Sequence, residues 1–97
     1  MELPKYVNIK GFLTLKMLHE LKKKRLCGDE LAEIIGRKLS TKLTPGTIYP
    51  ALKFLRKKKL VTYKRSGRKK NYELTEEGLK EYKRFQKAFK TIFKEFL

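Results

Sequence analysis

Between Val61 and Leu74 the apolar residues stop following a helical period and begin to alternate, and no other stretch restricts the fold as strongly. Val61 and Tyr63 fall on one face, Thr62 and Lys64 on the other. Ser66-Gly67-Arg68 has the composition of a turn, after which Tyr72 and Leu74 resume the alternation. Side chains along a strand alternate with a period of two, so this pattern predicts a two-stranded hairpin over about residues 60–74. On both sides of it the apolar period is helical. The fold class is therefore mainly α with a small β-hairpin (α+β).

Before the hairpin the spacing predicts three helices, at about 9–24, 28–39 and 45–58. Phe12, Leu15, Leu18 and Leu21, with Leu13 and Met17, share one face of the first, which ends in Lys22-Lys23-Lys24-Arg25, where a helix dipole favours cations. Gly28-Asp29-Glu30 opens the second, whose stripe is Leu31, Ile34, Ile35 and Leu39. After the short turn Ser40-Thr41-Lys42-Leu43, Thr44 is an N-cap candidate for the third and Pro45 suits its first position, where a missing N–H costs nothing. Ile48, Leu52 and Leu55 form its buried stripe; Gly46, Thr47, Tyr49, Lys53, Arg56 and Lys57 occupy the opposite face. Pro50 removes one intrahelical bond and should bend the first turns. Two helices joined by a short turn, the second with a polar and basic face, make a helix-turn-helix, and a hairpin directly after it is a wing.

Thr75, followed by Glu76 and Glu77, caps a last helix. Behind Leu79, the residues Tyr82, Phe85, Phe89, Ile92 and Phe96 run at 3-4-3-4 spacing, a coiled-coil-like seam widened by Ala88 and Phe93. This divides the chain into a winged-helix domain, 1–74, and a C-terminal dimerisation helix, 75–97, with Met1–Asn8 as an extended arm or short turn. Leu79, Tyr82, Phe85, Phe89, Ile92, Phe93 and Phe96 are the expected dimer contacts. Aromatic side chains bury about 150–250 Å² each, so such a seam calls for cover, which a second copy supplies symmetrically; the competing reading is that the helix folds back on its own domain and the chain is monomeric.

At 97 residues the chain holds one domain with a thin core. It has no apolar run of membrane-spanning length and no leader-like segment, so the expectation is a cytoplasmic protein with no membrane partner. The net charge of +16 is unevenly spread. Residues 1–35 hold seven Lys/Arg against five Asp/Glu, and residues 75–97 six against four. Residues 36–74 hold thirteen against Glu73 alone. A block of that density needs a polyanionic partner or has to tolerate its own repulsion. One His, one Asp and one Cys leave no triad or metal cluster, and no Gly-rich phosphate loop follows a strand, so the chain reads as no enzyme, with no cofactor and no metal. Cys27 reads as a small buried hydrophobe and His19 as a partly exposed helix residue.

The block Leu43-Thr44-Pro45-Gly46-Thr47-Ile48-Tyr49-Pro50-Ala51-Leu52 resembles the signature of PadR-like transcriptional regulators around their recognition helix. The basic hairpin with Gly67-Arg68, followed by Tyr72-Glu73-Leu74-Thr75-Glu76-Glu77-Gly78, resembles that family's wing and the start of its last helix. Gly28-Asp29-Glu30-Leu31 stands where the family usually has Gly, an aromatic, Glu and Leu, so Asp29 departs from the pattern. The resemblance covers roughly residues 9–80 and implies a winged-helix dimer, usually a repressor, with the last helix as dimer arm. Some relatives bind flat drug-like molecules between subunits on an aromatic residue that is often Trp. This chain has no Trp, so a small-molecule effector finds no support and the phenylalanines are assigned to packing.

For duplex DNA the expected contacts are Lys42, Thr44, Pro45, Gly46, Thr47, Tyr49, Lys53 and Arg56 on and before the third helix, and Arg65, Arg68, Lys69 and Lys70 on the wing. Free backbone N–H groups at residues 45–48, less the one Pro45 lacks, suit a phosphate. Gly46 admits close approach, Thr47 and Tyr49 offer hydroxyls, and the cations follow the backbone or minor groove. Competing readings are capping support for Thr47 and core packing for Tyr49. Arg56-Lys57-Lys58-Lys59 is partly a helix C-terminal charge cluster. At the level of function the alternative is an RNA-binding or ribosome-associated winged helix, since basicity alone does not separate RNA from DNA. A protein-interaction winged helix fits poorly with so basic a reading surface.

Overall fold

The computed structural model describes the backbone from Ile9 to Leu97 and side chains from Gly11 onward; the arm expected over Met1–Asn8 lies outside the described residues. The elements are α1 (Ile9–Lys23), α2 (Gly28–Lys38), α3 (Pro45–Lys57), β1 (Val61–Ser66), β2 (Lys69–Leu74) and α4 (Glu76–Lys94). The first three helices and the hairpin lie within a residue or two of the spacing, whereas α4 ends at Lys94, three residues short of the 97 expected for it.

The apolar stripes meet in one core. Met17 and Leu18 of α1, Leu31 and Ile35 of α2, Ile48, Leu52 and Leu55 of α3 and Val61 of β1 are fully buried there. β1 and β2 pair antiparallel from Val61↔Leu74 to Ser66↔Lys69. Gly67, at φ 63°, fills the first position of the two-residue loop, where a positive φ turns a hairpin in the sense that strand twist requires. A single residue of the α1–α2 link adds a one-residue third strand that the alternation did not reveal: Leu26 exchanges both backbone bonds with Tyr72, at 3.1 and 2.8 Å. The wing is thereby tied at its base to the helical body.

Two helix ends close in the left-handed backbone region without glycine. After α2, Ser40 has φ 53°, Thr41 N–H bonds Gly36 C=O at 2.9 Å and Ser40 N–H bonds Arg37 C=O at 3.3 Å. After α3, Lys59 has φ 62°, with Leu60 N–H on Leu55 C=O and Lys59 N–H on Arg56 C=O. Pro50 lies inside α3, which continues unbroken from Pro45 to Lys57.

α1 and α2 are also joined by charge. Glu20 is buried at their contact and takes a hydrogen bond from Lys38 Nζ, with Lys23 and Lys16 Nζ at 3.8 and 3.9 Å. Burial alone would raise the pKa of this carboxyl. The Lys38 hydrogen bond and the three ammonium charges outweigh it and hold the group below its usual range.

α4 begins at Thr75, whose hydroxyl oxygen accepts from Gly78 N–H at 3.0 Å. Its first half belongs to the domain. Tyr82 is only 3% exposed and shares a 2.6 Å hydrogen bond with His19 Nδ1. This corrects the expectation that Tyr82 faces a partner: the heptad spacing is real, but α1 covers this position within the same chain. Phe85 also packs on the core, half-buried. The seam emerges beyond Phe89, which lies against Phe12 and Phe93 with ring centroids 6.3 and 5.5 Å apart. Ile92, Phe93 and Phe96 are 55%, 49% and 78% exposed.

Candidate nucleic-acid interface

The helix-turn-helix and the wing present their polar residues on neighbouring surfaces. At the start of α3, Thr44 has the extended backbone of an N-cap, but its side chain makes no capping bond and lies 3.3 Å from the Thr47 hydroxyl instead. Its carbonyl accepts from both Thr47 N–H (3.0 Å) and Ile48 N–H (3.1 Å). The expectation of a row of free amides is therefore corrected: within the first turn the helix itself uses two of them, and Gly46 supplies the open one. A Cβ at Gly46 would meet little but Thr44 Oγ1 at 3.7 Å, so this end of α3 is open to a large neighbour.

Tyr49 is 43% exposed, and its hydroxyl donates to Asp29 Oδ1 at 2.8 Å, joining α3 to the first turn of α2. Its ring lies over Gly28, where a Cβ would fall 2.6 Å from ring carbon Cε1. The hydrogen bond to Asp29, followed by burial and the Asp29 charge, pushes the phenol above its ordinary pKa, so it keeps its proton. Tyr49 is thus neither a core residue nor a freely swinging hydroxyl. Asp29, the departure from the family pattern, is what holds it.

Further along α3, Lys53 and Arg56 are exposed. The Arg56 guanidinium stacks 4.4 Å from the centroid of Tyr63 on β1, and Lys70 Nζ of β2 lies 4.9 Å from the same ring. Tyr63, tilted against Tyr72 at 5.5 Å, is therefore a platform joining the helix cations to the wing cations. Arg65, Arg68 and Lys69 are exposed around the hairpin tip, and Lys42 is exposed in the turn before Pro45.

Few of these charges are neutralised. Of the thirteen cations in residues 36–74, Arg37 pairs with Glu33 and Lys38 with Glu20; among the described residues the other eleven form no ion pair. Glu73, the only acid of that segment, is engaged 2.6 Å from Arg25 Nε. Positive potential thus gathers over the exposed face of α3 and the wing.

Two features escaped the spacing argument. Alternation puts Tyr63 on one face with Val61 and says nothing of the Arg56 and Lys70 cations that reach its ring from other elements. Phe54, 53% exposed with Lys58 Nζ 5.7 Å from its ring, sits off the 48-52-55 stripe, and a helical wheel places it outside.

Away from this face, a groove of about 500 Å³ runs between α1 and the second half of α4, lined by Leu15, His19, Tyr82, Phe89, Phe93 and Leu97 among others. Burial lowers the His19 pKa first, and Lys23 adds to the effect, so its ring is neutral at pH 7. Among the described residues no group of His, Cys, Asp and Glu could hold a metal ion, and no helix is long and apolar enough to cross a membrane.

Comparison with solved structures identifies the fold. A PadR-like transcriptional regulator from Bacillus cereus superposes with a TM-score of 0.80 at 29% identity, over 91% of this chain and 90% of that one. A PadR family transcription regulator from hypervirulent Clostridium difficile gives 0.77 at 29% identity, over 86% and 92%. A Streptococcus transcriptional regulator, at 24% identity, shares the fold with a TM-score of 0.81 over 91% of each chain. No curated protein matches the sequence. The transcriptional regulator PadR-like family matches residues 17–84, the span that contains the helix-turn-helix, the wing and the buried half of α4. The chain belongs to that family of DNA-binding transcriptional regulators, which are not enzymes.

Proposed function

We propose that the protein is a cytoplasmic, sequence-specific duplex DNA-binding regulator that acts as a homodimer and represses by occupying its operator. One observation carries the reading: the unneutralised cations stand on an exposed helix and on the wing beside it, an arrangement sized for a groove and its two phosphate walls. Lys42, Lys53, Arg65, Arg68 and Lys69 are exposed enough to meet phosphate. Arg56 and Lys70 are held toward the same side by Tyr63. The open amide at Gly46 and the hydroxyls of Thr44 and Thr47 mark where α3 enters.

Homodimerisation is supported by the apolar end of α4, where Ile92, Phe93 and Phe96 stay exposed after the core has taken what it can. Phe89 and the groove beside it extend that surface; Leu79 and Phe85, both half-buried, mark its inner limit. A two-fold axis there would set two α3 helices on one duplex, with half-sites about one helical turn, roughly 34–36 Å, apart.

The test is competition binding with duplex DNA, duplex RNA and single strands across a salt range. With on the order of 6–10 phosphate contacts per dimer, duplex DNA affinity should fall about 10³–10⁵-fold between roughly 50 and 200 mM salt. A flat response, or preference for RNA, would defeat the proposal. Sedimentation equilibrium of the intact chain against a variant carrying Ile92→Ser, Phe93→Ser and Phe96→Ser tests the dimer. The variant keeps Tyr82 in the core and should be monomeric; a monomeric wild type would refute this part.

A further inference from the structure

The contact between Tyr49 and Asp29 restricts what Tyr49 can recognise. A phenol has one proton to donate and lone pairs with which to accept, whereas an ionised carboxylate only accepts. At 2.8 Å from Asp29 Oδ1 the Tyr49 proton is committed to that oxygen. Turned away, it would leave two acceptor oxygens facing each other. The ring is seated against Gly28, where a Cβ would fall 2.6 Å from Cε1, and this contact together with the Asp29 bond fixes where the hydroxyl stands. Toward solvent the hydroxyl therefore presents acceptor capacity alone. Phosphate oxygens are acceptors as well, and the Asp29 charge repels them. In the major groove the donor groups are the amino groups of adenine N6 and cytosine N4; guanine and the thymine carbonyl offer acceptors.

Resting on the DNA-binding reading, we propose that Tyr49 is a specificity-determining residue: held by Asp29 as an acceptor, it selects an adenine or cytosine amino group in the major groove rather than a phosphate. Asp29 is the positioning residue of the pair. It touches no base, and acts by taking the proton that would otherwise let the hydroxyl bind acceptors.

The experiment is selection of bound sites from a random duplex library by the full-length wild type and by Tyr49→Phe, Asp29→Ala and Asp29→Asn, with circular dichroism confirming that each is folded. In the wild type one position per half-site should favour A or C on one strand by roughly 3–10-fold, the range of a single net hydrogen bond. Tyr49→Phe keeps the ring on Gly28 and should lose that preference while leaving the other positions selected. Asp29→Ala releases the proton; the preference should flatten or turn toward G or T, and affinity for all duplexes should rise up to about 5-fold as a negative charge leaves the surface. Asp29→Asn retains an oxygen that can accept the proton and should restore the wild-type preference. The proposal is overturned if Tyr49→Phe weakens all duplexes equally, if the Tyr49-dependent position favours G or T, or if Asp29→Ala leaves the profile unchanged. Failure of the wild type to select any sequence would instead refute the DNA-binding reading beneath it.

Discussion

Gly78→Ala sets two rules against each other in this protein. By helix propensity alone, alanine in the first turns of α4 should be better by up to about 1 kcal/mol. The geometry points the other way. A Cβ at this position would lie 1.9 Å from the Leu60 carbonyl oxygen, whereas carbon and oxygen ordinarily approach to about 3.3 Å, so one backbone must withdraw by more than 1 Å. That carbonyl is not free to move: it accepts Thr75 N–H at 3.1 Å, while the Thr75 hydroxyl donates to Lys59 C=O at 2.7 Å and accepts Gly78 N–H. Overpacking costs about 1–3 kcal/mol, and losing one of these bonds costs a further 0.5–1.5 or so. After the propensity gain the expected loss is about 2 kcal/mol. Urea denaturation at fixed protein concentration should show a lower midpoint at unchanged slope, and calorimetry a melting temperature reduced by roughly 8–16 °C. An unchanged or raised midpoint would mean that the joint between α4 and the α3–β1 link is loose and the reasoning wrong.

Lys59→Gly, which relieves a left-handed residue with φ 62°, should stabilise by about 1 kcal/mol in the same assay. Glu20→Gln should cost about 1–3 kcal/mol at pH 7 through loss of the charged contact with Lys38. Because the Glu20 carboxyl is depressed below its usual 4.5, its contribution is present above that value and is lost as the pH falls further, through the folded-state pKa. The acid limb of the stability profile should therefore be shallower in the variant. Tyr63→Leu should reduce duplex affinity by roughly 2–5-fold with little change in melting temperature, and Arg56→Ala should add less in that background than alone, as fluorescence anisotropy would show.

The parts of the fold legible in the sequence are those written in apolar period. The stripes of α1 to α3 and the alternation of β1 and β2 became the core, and the Thr44-Pro45 start of α3 stands where the spacing put it. Periodicity says which face is apolar but not what covers it, and so Tyr82, at a proper seam position, is buried by α1 of its own chain. The Leu26–Tyr72 rung is a single residue, too short to carry a pattern. The site was legible as composition, a basic helix and a basic hairpin. Its pairings, Tyr49 with Asp29 and Tyr63 with Arg56 and Lys70, join residues from different elements and depend on how those elements cross.

The crowd of unpaired cations also acts on the free protein. The eleven cations of residues 36–74 that form no ion pair among the described residues repel one another within a domain of this size, and unfolding lets them spread apart. Added salt shortens the range of that repulsion and should make the unbound protein harder to melt, while the same ions loosen its grip on a duplex. Ionic strength therefore pulls folding and binding in opposite directions. In dilute buffer the free protein should be least stable and its hold on a duplex tightest, so a bound polyanion should raise its melting temperature most under those conditions.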